Sequence, residues 1–139
     1  MIKKLILIIV FAFCAYASNA QILYIFGGED NKVYLGKFNA PPTDPDSIWN
    51  SYGEYGNKFN SDCIWNKFGD YGNKFNSYSP WNNYSSEAPI LVDKDRKYYG
   101  MFQVSNKNSI VRKVCKLGTT IQDSSDLDLR DWYEILFED

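Results

Sequence analysis

Residues 47–84 read SIWNSYGEYGNKFNSDCIWNKFGDYGNKFNSYSPWNNY, and this stretch decides how the rest of the chain is organised. A unit of 16 residues occurs twice, and a third copy begins at Ser79. The segment YGNKFNS at 55–61 returns unchanged at 71–77. One short unit cannot bury its own apolar face, so repeats of this kind pack on one another or on a neighbouring surface. Two and a half copies are too few to stand alone, so the flanking segments must supply that surface.

Eight aromatic residues recur at equivalent positions of the copies, and they are the candidate ligand-binding residues. They are Trp49, Tyr52, Tyr55, Trp65, Phe68, Tyr71, Trp81 and Tyr84. Exposed aromatic rings at regular spacing suit stacking on the sugar rings of a repeating polymer. The alternative is that the rings form the core of a segment whose only aliphatic residues are Ile48 and Ile64. The regular Gly and Asn residues suit both interpretations.

The start of each repeat carries a helix-start pattern. Ser is a favoured N-cap and Pro a favoured first helical residue, as in Ser79-Pro80. Ser47 and Cys63 occupy the equivalent cap positions. We therefore expect one short helical turn per repeat, at 48–52 and 64–68, followed by a glycine turn.

Two segments on either side of the repeats are typical of β-hairpins. Residues 22–38 hold two apolar runs around the turn sequence GGEDN, and residues 88–105 do the same around DKDR. The uninterrupted apolar run 22–26 predicts a strand buried on both faces. Both return strands contain Tyr-x-Gly-x-Phe, at 34–38 and 98–102. We expect a small antiparallel sheet with the repeats inserted between two similar hairpins.

One or two C-terminal helices complete the expected α+β fold. Asn108 or Ser109 would cap the first helix and Gly118 would end it. Residues 124–126 would cap the second helix, whose apolar positions follow the spacing i, i+3, i+4, i+7, i+8. These positions are Leu129, Trp132, Tyr133, Leu136 and Phe137. The fold class is thus a small antiparallel sheet of hairpins, an inserted aromatic Trp/Tyr/Gly repeat layer and a C-terminal helical segment.

The first 20 residues predict a cleaved signal peptide. Lys3 and Lys4 precede a 13-residue apolar run, and Ser18-Asn19-Ala20 fits a small-x-small cleavage site. The run is shorter than the roughly 20 residues that span a bilayer, so a membrane anchor is the weaker alternative; a lipidated Cys14 is another. We expect cleavage near Ala20, export to the periplasm or the extracellular space, and one domain at 21–139 without a transmembrane segment.

Charge is distributed unevenly along the mature chain. Without Lys3 and Lys4 the 15 basic residues fall to 13 against 17 acidic ones, a net charge of −4. Residues 119–139 hold seven of the acids and one base, Arg130. No basic stripe remains, which argues against nucleic acid as a partner. The acidic amphipathic C-terminal helix instead suggests a protein partner as an alternative.

Cys63 and Cys115 form a candidate disulfide, because an exported chain meets an oxidising compartment. The bridge would close a long loop and stabilise the fold by roughly 4 kcal/mol. In the alternative interpretation, Cys63 simply replaces the serine that the other repeats carry at Ser47 and Ser79. The sequence leaves both open.

Several chemistries are excluded by the residues that the chain lacks. It contains no histidine, which removes histidine-activated nucleophiles and histidine metal ligands. Paired carboxylates of a hydrolase remain as an alternative, and so does a calcium site at Asp93 and Asp95, although these two suit a hairpin turn equally well. The carboxylate candidates are Glu29, Asp30, Glu54, Asp70, Asp93 and Asp95.

The motif Ser-Ile-Trp-Asn-x-[Tyr/Phe]-Gly-x-Tyr-Gly-x-Lys-[Phe/Tyr], followed by Ser-Pro-Trp-Asn-x-Tyr and Pro-Ile-Leu-Val-Asp-Lys-Asp, resembles a family of small exported bacterial proteins of uncharacterised function. The resemblance covers residues 33–102. Members of that family often carry cysteines before the repeats, where this chain has Lys37-Phe38-Asn39-Ala40. No disulfide, activity or site therefore comes with the resemblance.

These observations favour a non-catalytic binding or structural module of the cell envelope or extracellular space. Glycan, bound through the repeat aromatics, is the first ligand to consider, and an envelope protein is the second. A protein–protein interaction module and a carboxylate-based hydrolase are the alternative functions. We expect no cofactor and no metal.

Overall fold

The computed structural model of the chain describes residues 21–138. The expected signal peptide at 1–20 lies outside the described residues, as does Asp139. The elements are, in chain order, β1 (Tyr24–Gly27), β2 (Val33–Lys37), β3 (Ile90–Val92), β4 (Tyr98–Met101), α1 (Ser109–Asp123) and α2 (Leu129–Phe137). A short 3-10 turn, Glu29–Asn31, connects β1 to β2.

The four strands form one antiparallel sheet in the order β2-β1-β3-β4. Each hairpin contributes an inner strand and an edge strand, and the two inner strands pair around Ile25 and Leu91. The chain leaves the sheet after β2, runs through the repeats and returns as β3. The expected α+β fold, with the repeats inserted between two hairpins, is confirmed.

The shared Tyr-x-Gly-x-Phe motif of the two hairpins has a structural cause. Gly36 and Gly100 have φ values of 105° and 96°, which residues with a side chain rarely adopt. Each lies at a register shift of its hairpin, where a bulge bends the edge strand. The bend brings Phe38 and Phe102 together in the core, with their ring centroids 5.2 Å apart.

Strand β1 is buried on one face only, so the expectation of burial on both faces was wrong. Its residues alternate between half-buried and buried positions, and Ile25 points into the core. On the other face, Tyr24 and Phe26 pack against Tyr34 of the neighbouring strand. On that face the aromatic rings cover one another. The apolar run is therefore uninterrupted in the sequence, although only one face of the strand packs on the core.

Consecutive reverse turns form the repeat segment, and the expected helical turns at 48–52 and 64–68 are absent. From Ser47 to Cys63, five turns follow one another, each closed by a backbone hydrogen bond spanning three or four residues. The second unit repeats the same five bonds. Asn, Gly and Ser favour such turns, and the glycines lower the stability of any helix at this place.

The cysteines are free thiols, so the candidate disulfide between Cys63 and Cys115 is not present in the structure. The Cys63 thiol donates to the carbonyl oxygen of Tyr55 at 3.1 Å, as the hydroxyl of Ser47 donates to that of Ala40 at 2.8 Å. Cys63 thus takes the place of the repeat serine. Burial raises the pKa of each thiol to about 12, which keeps both protonated at neutral pH.

Helix α1 begins where it was expected and ends later. The Asn108 side chain accepts hydrogen bonds from the N–H groups of Ile110 and Val111, as an N-cap does. Gly118, the expected end, lies inside the helix. A β-carbon at Gly118 would lie 2.0 Å from Cε3 of Trp81. The glycine is therefore needed for close packing rather than for helix termination.

Helix α2 is capped by Asp128, not by residues 124–126. The Asp128 carboxylate accepts from the N–H of Asp131, and the Asp131 carboxylate accepts from the N–H of Asp128, which is a reciprocal capping box. The apolar stripe of this helix packs on the domain's own core. Leu136 is buried and the other four stripe residues are half-buried.

The core lies between the inner face of the sheet and the two helices, and the repeats fill it. Trp49 contacts Phe137 of α2 at 5.7 Å between ring centroids. Trp81 contacts Phe102 beyond β4 at 5.5 Å and lies against α1. Among residues 21–138, no helix has the length and apolar character needed to cross a membrane.

Candidate binding surface

Trp49, Trp65 and Trp81 form a buried row along the repeats, here called the tryptophan row. Each is between 1 and 4 % exposed. The ring centroids of Trp49 and Trp65 lie 5.3 Å apart, and those of Trp65 and Trp81 lie 5.1 Å apart. Rings buried in this way offer a ligand no exposed face on which to stack. Of the two interpretations of the repeats, the core interpretation holds for the tryptophans.

Hydrogen bonds fix the position of each indole in the tryptophan row. The Nε1–H of Trp65 donates to the carbonyl oxygen of Ile48 at 2.6 Å, and that of Trp81 donates to Ile64 at 2.7 Å. Each bond therefore joins one repeat to the residue before the tryptophan of the preceding repeat. The first indole, Trp49, donates instead to Phe38 at the end of β2, at 2.7 Å. The repeats are thus bonded to one another and to the sheet.

Five aromatic rings of the repeats point away from the core and form what we call the ring surface. Each of these rings is between 81 and 98 % exposed. They are Tyr52, Phe59, Phe68, Phe75 and Tyr84. Three were candidates from the sequence, whereas Phe59 and Phe75 were missed. An exposed group of large apolar side chains on a small domain is unusual and often marks an interaction site.

A local motif explains why these five rings face outward. Each follows an asparagine by two residues, and the asparagine oxygen accepts the N–H of the aromatic residue at 2.9 to 3.0 Å. The resulting Asx turn directs the backbone N–H inward and the ring outward. The sequence signal Asn-x-Tyr or Asn-x-Phe would have found Phe59 and Phe75. Tyr78 shares the motif but is half-buried, because its ring packs against Tyr71.

Lysine side chains lie beside the phenylalanines of the ring surface. The Nζ of Lys58 is 5.6 Å from the ring centroid of Phe59, and the Nζ of Lys74 is 5.2 Å from that of Phe75. Lys67 lies in the same way beside Phe68, at 5.7 Å. These distances suit cation–π attraction. The repeat surface therefore offers apolar faces together with hydrogen-bond donors.

Tyr55 and Tyr71, the remaining candidates, are anchored in the fold. The Tyr71 side chain is buried, and the Tyr55 ring packs edge-on against Tyr34 at 4.9 Å between centroids. Desolvation is the main cause of the raised pKa of both phenols. Tyr71 is buried and Tyr55 is half-buried, so neither belongs to the exposed rings of the repeats.

A groove of about 690 Å³ lies between the first repeat and the α1–α2 connection. Tyr52 and Phe59 line it on the repeat side, and residues 124–129 line it on the helix side. Trp65 and Ile121, both buried, line it as well. The volume is in the range of small-ligand sites, about 300–1,000 Å³.

The candidate carboxylates are dispersed or already engaged. Asp93 accepts hydrogen bonds from the N–H groups of Asp95 and Lys97, at 2.8 and 3.0 Å, and so forms the β3–β4 turn. Glu54 and Asp70 are exposed on the repeats. Glu29 and Asp30 line a second groove, of about 590 Å³. Within 21–138, no three acidic or cysteine side chains are grouped to hold a metal ion.

Comparison with known proteins gives the chain no relative from which a role could be transferred. The resemblance to small exported bacterial proteins therefore stays a prediction. No protein-family model, no curated protein and no solved structure matches the chain.

Proposed function

We propose that the protein is an exported, non-catalytic binding module of the cell envelope or extracellular space, and that it binds glycan through the ring surface. The observation that carries this proposal is the division of the repeat aromatics. The tryptophans are buried, whereas the five rings of the ring surface are at least 81 % exposed. Packing explains the first set and leaves the second without a structural role.

The geometry of the exposed rings supports a flat apolar ligand with polar edges. A sugar ring presents C–H groups on its faces, which pack on an aromatic face, and hydroxyl groups at its rim. Tyr and Phe supply such faces at a low conformational cost, because only two side-chain torsions are fixed on binding. The lysines and the asparagine-rich backbone beside the rings supply hydrogen-bond partners for the rim.

Export is part of the proposal and rests on the leader sequence. The described fold begins with Gln21, whose side chain accepts a hydrogen bond from the Tyr99 hydroxyl and whose carbonyl oxygen accepts one from Asn39. Cleavage after Ala20 would leave both contacts intact. Mass spectrometry of the protein from the culture medium and periplasm tests this. Full-length protein confined to the cytosol would contradict export.

A binding assay with two variants tests the glycan proposal. The mature protein is incubated with insoluble cell-wall and polysaccharide preparations, and the bound fraction is measured. Replacing Tyr52, Phe68 and Tyr84 together by alanine should abolish binding and leave the thermal melt unchanged. Tyr98→Ala is the matched control, because Tyr98 is an exposed aromatic outside the repeats; it should bind like wild type. Equal binding by the triple variant would contradict the proposal.

A protein partner is the second candidate, and an exposed patch on α2 favours it. The apolar stripe of α2 packs on the core, but Leu127 and Ile135 are 37 % and 45 % exposed. They line a shallow depression together with Asp131 and Glu134. Ile135→Asp would weaken a partner contact at this patch without affecting glycan binding.

A further inference from the structure

We propose that the principal glycan site is the groove between the first repeat and the α1–α2 connection, and that it takes a glycan bearing amino groups. The inference rests on the proposed function and narrows it to one groove and one class of sugar. Three features carry it: the aromatic wall, the rigid opposite wall and the negative charge of the groove.

The aromatic wall distinguishes the first repeat from the others. Tyr52 and Phe59 belong to the ring surface, and both line the groove. Tyr84 occupies the position equivalent to Tyr52 and is as exposed, at 98 %, but it lies outside the groove. Of the five rings of the ring surface, Tyr52 and Phe59 are the two that line this groove. A sugar in this groove would be enclosed on two sides, whereas at Tyr84 it would rest on one ring.

The opposite wall is held in a fixed position relative to the repeats. The Gln122 side chain donates to the carbonyl oxygens of Ile64 and Gly72, at 3.1 and 2.7 Å. Asp123 forms an ion pair with Lys67 at 3.3 Å. Beyond these residues, the capping box and a hydrogen bond from the N–H of Leu127 to Ser124 order the connection. A preformed groove binds more tightly than a flexible one, since less ordering accompanies binding.

The charge of the groove selects the class of sugar. Asp126, Asp128 and Asp131 line it, and Lys58 is the one basic residue among the lining residues. The formal charge of the lining is therefore −2. The capping box uses Oδ1 of Asp128 and Oδ2 of Asp131, which leaves the second oxygen of each carboxylate for a ligand.

An ammonium group fits this combination of carboxylates and rings. It donates charge-assisted hydrogen bonds to carboxylates and is attracted to the faces of Tyr and Phe. A uronic acid would instead be repelled by the three aspartates. Because the carboxylates are near the surface, salt should weaken binding. The proposed ligand is thus a polymer or oligomer of amino sugars whose amino groups are not acetylated.

Titrations with defined oligosaccharides test the proposal. The mature protein is titrated by calorimetry with a glucosamine oligomer, its fully N-acetylated counterpart and an oligogalacturonate, at low and high salt. We expect the glucosamine oligomer to bind most tightly and to lose affinity at high salt. Asp126→Asn and Tyr52→Ala should each weaken it roughly fivefold or more, the effect of about 1 kcal/mol. Tyr84→Ala should weaken binding less than Tyr52→Ala does. Tyr98→Ala is the matched control, because Tyr98 is exposed outside the repeats, and it should change the affinity less than twofold.

The outcomes separate this inference from the proposed function. Equal losses of affinity for Tyr52→Ala and Tyr84→Ala would contradict the groove as the principal site. Equal binding of the acetylated oligomer would contradict the preference for free amino groups. Either result would leave the proposed glycan binding intact. Tighter binding of an oligolysine peptide of equal charge would contradict a sugar as the ligand. The groove would then be a site for positively charged groups in general. Failure to bind any glycan would overturn both proposals. Thermal melts of each variant show that the fold is retained.

Discussion

At the scale of single residues, neighbouring positions of one repeat have opposite roles. Trp65 is buried between Trp49 and Trp81, whereas Phe68, three residues later, is 86 % exposed. Turn chemistry sets this difference. The serine or cysteine two positions before each tryptophan accepts the N–H of that tryptophan. The asparagine directly after the tryptophan accepts the N–H of the exposed aromatic residue. These bonds turn the first ring inward and the second outward. The aromatic residues that pack in the core are therefore different from those of the proposed binding surface.

Trp65→Ala should lower the free energy of unfolding by about 3–5 kcal/mol, the usual cost of removing a large aromatic from a core. It leaves a cavity and removes the donor that satisfies the carbonyl oxygen of Ile48. Urea unfolding of the mature protein measures the effect. Phe68→Ala is the matched control and should change stability by less than about 0.5 kcal/mol. A Trp65→Ala protein that unfolds at the same urea concentration as wild type would contradict the burial of this ring.

The thiols provide a second prediction at the residue scale. Residues 21–139, purified without added reductant, should show no thiol reactive to an aromatic disulfide reagent at neutral pH, because Cys63 and Cys115 are buried and protonated. After unfolding in guanidinium, two thiols should react. Cys63→Ser should retain wild-type stability, since serine occupies the equivalent positions. Absence of reactive thiols after unfolding would mean that the two cysteines are oxidised.

At the scale of elements, helix α1 depends on one glycine. Gly118 lies in mid-helix, where alanine normally stabilises by about 1 kcal/mol. Here the Trp81 ring occupies the space of a β-carbon. The contact fixes how the helix packs on the last repeat, and it overrides the local preference of glycine to end a helix.

Gly118→Ala should therefore destabilise the protein by roughly 1–3 kcal/mol, as overpacking of a core does. Thr120→Ala is the control, because Thr120 is exposed in the same helix and should be neutral or slightly stabilising. Chemical unfolding of both variants decides the matter. A stabilised Gly118→Ala protein would show that Trp81 moves away at little cost.

Helix α2 offers a test of how far the domain needs its acidic end. Its apolar stripe covers the tryptophan row at Trp49 through Tyr133 and Phe137. Truncation after Asp123 should give an insoluble or unfolded product, because each buried apolar side chain contributes roughly 1.5–3 kcal/mol. Circular dichroism and size-exclusion chromatography measure the result. A folded monomer with an unchanged melt would mean that α2 is dispensable and free for a partner.

At the scale of the whole molecule, one carboxylate connects Gln21, the first residue that the structure describes, to the second hairpin. Asp93 accepts the backbone N–H groups of its turn. The single hydroxyl proton of Tyr99 is shared between two acceptors, Oε1 of Gln21 at 2.5 Å and Oδ2 of Asp93 at 3.2 Å. The hydrogen bond from the N–H of Lys97 is the main cause that lowers the pKa of Asp93 below its usual 3.8. The negatively charged form of Asp93 therefore stabilises the folded state.

The sign of the resulting pH dependence follows from that lowered pKa. A carboxyl with a lower pKa in the folded state stabilises fully above its unfolded pKa, and this stability is lost as the pH falls through the folded pKa. Thermal melts from pH 7 to pH 2 should therefore decline below about pH 4 in wild type. Asp93→Asn should be less stable at pH 7 and decline less steeply in acid. Parallel curves for the two proteins would exclude this role of Asp93.

The sequence alone determined the fold class and the elements with strong local signals. Both hairpins were found from their apolar runs and turn residues, and α1 and α2 were found from their apolar spacing. These signals act over a few residues, so neighbouring side chains are enough to produce them. The ring surface also has a local signal, the pattern Asn-x-aromatic. Three of its five rings were candidates from the sequence, whereas Phe59 and Phe75 were missed.

Tertiary structure alone decided which aromatics are buried, where the helices end and how the thiols are used. Both Trp65 and Phe68 are large and apolar, and only the neighbouring repeats and helices determine which of them finds a partner. Gly118 is an end signal locally and a packing contact in the fold. The groove is also a tertiary feature, since Tyr52 and Asp126 are far apart in sequence and line the same groove only because α1 packs along the repeats. Contacts between distant segments carry no local pattern, which is why the sequence could not place them.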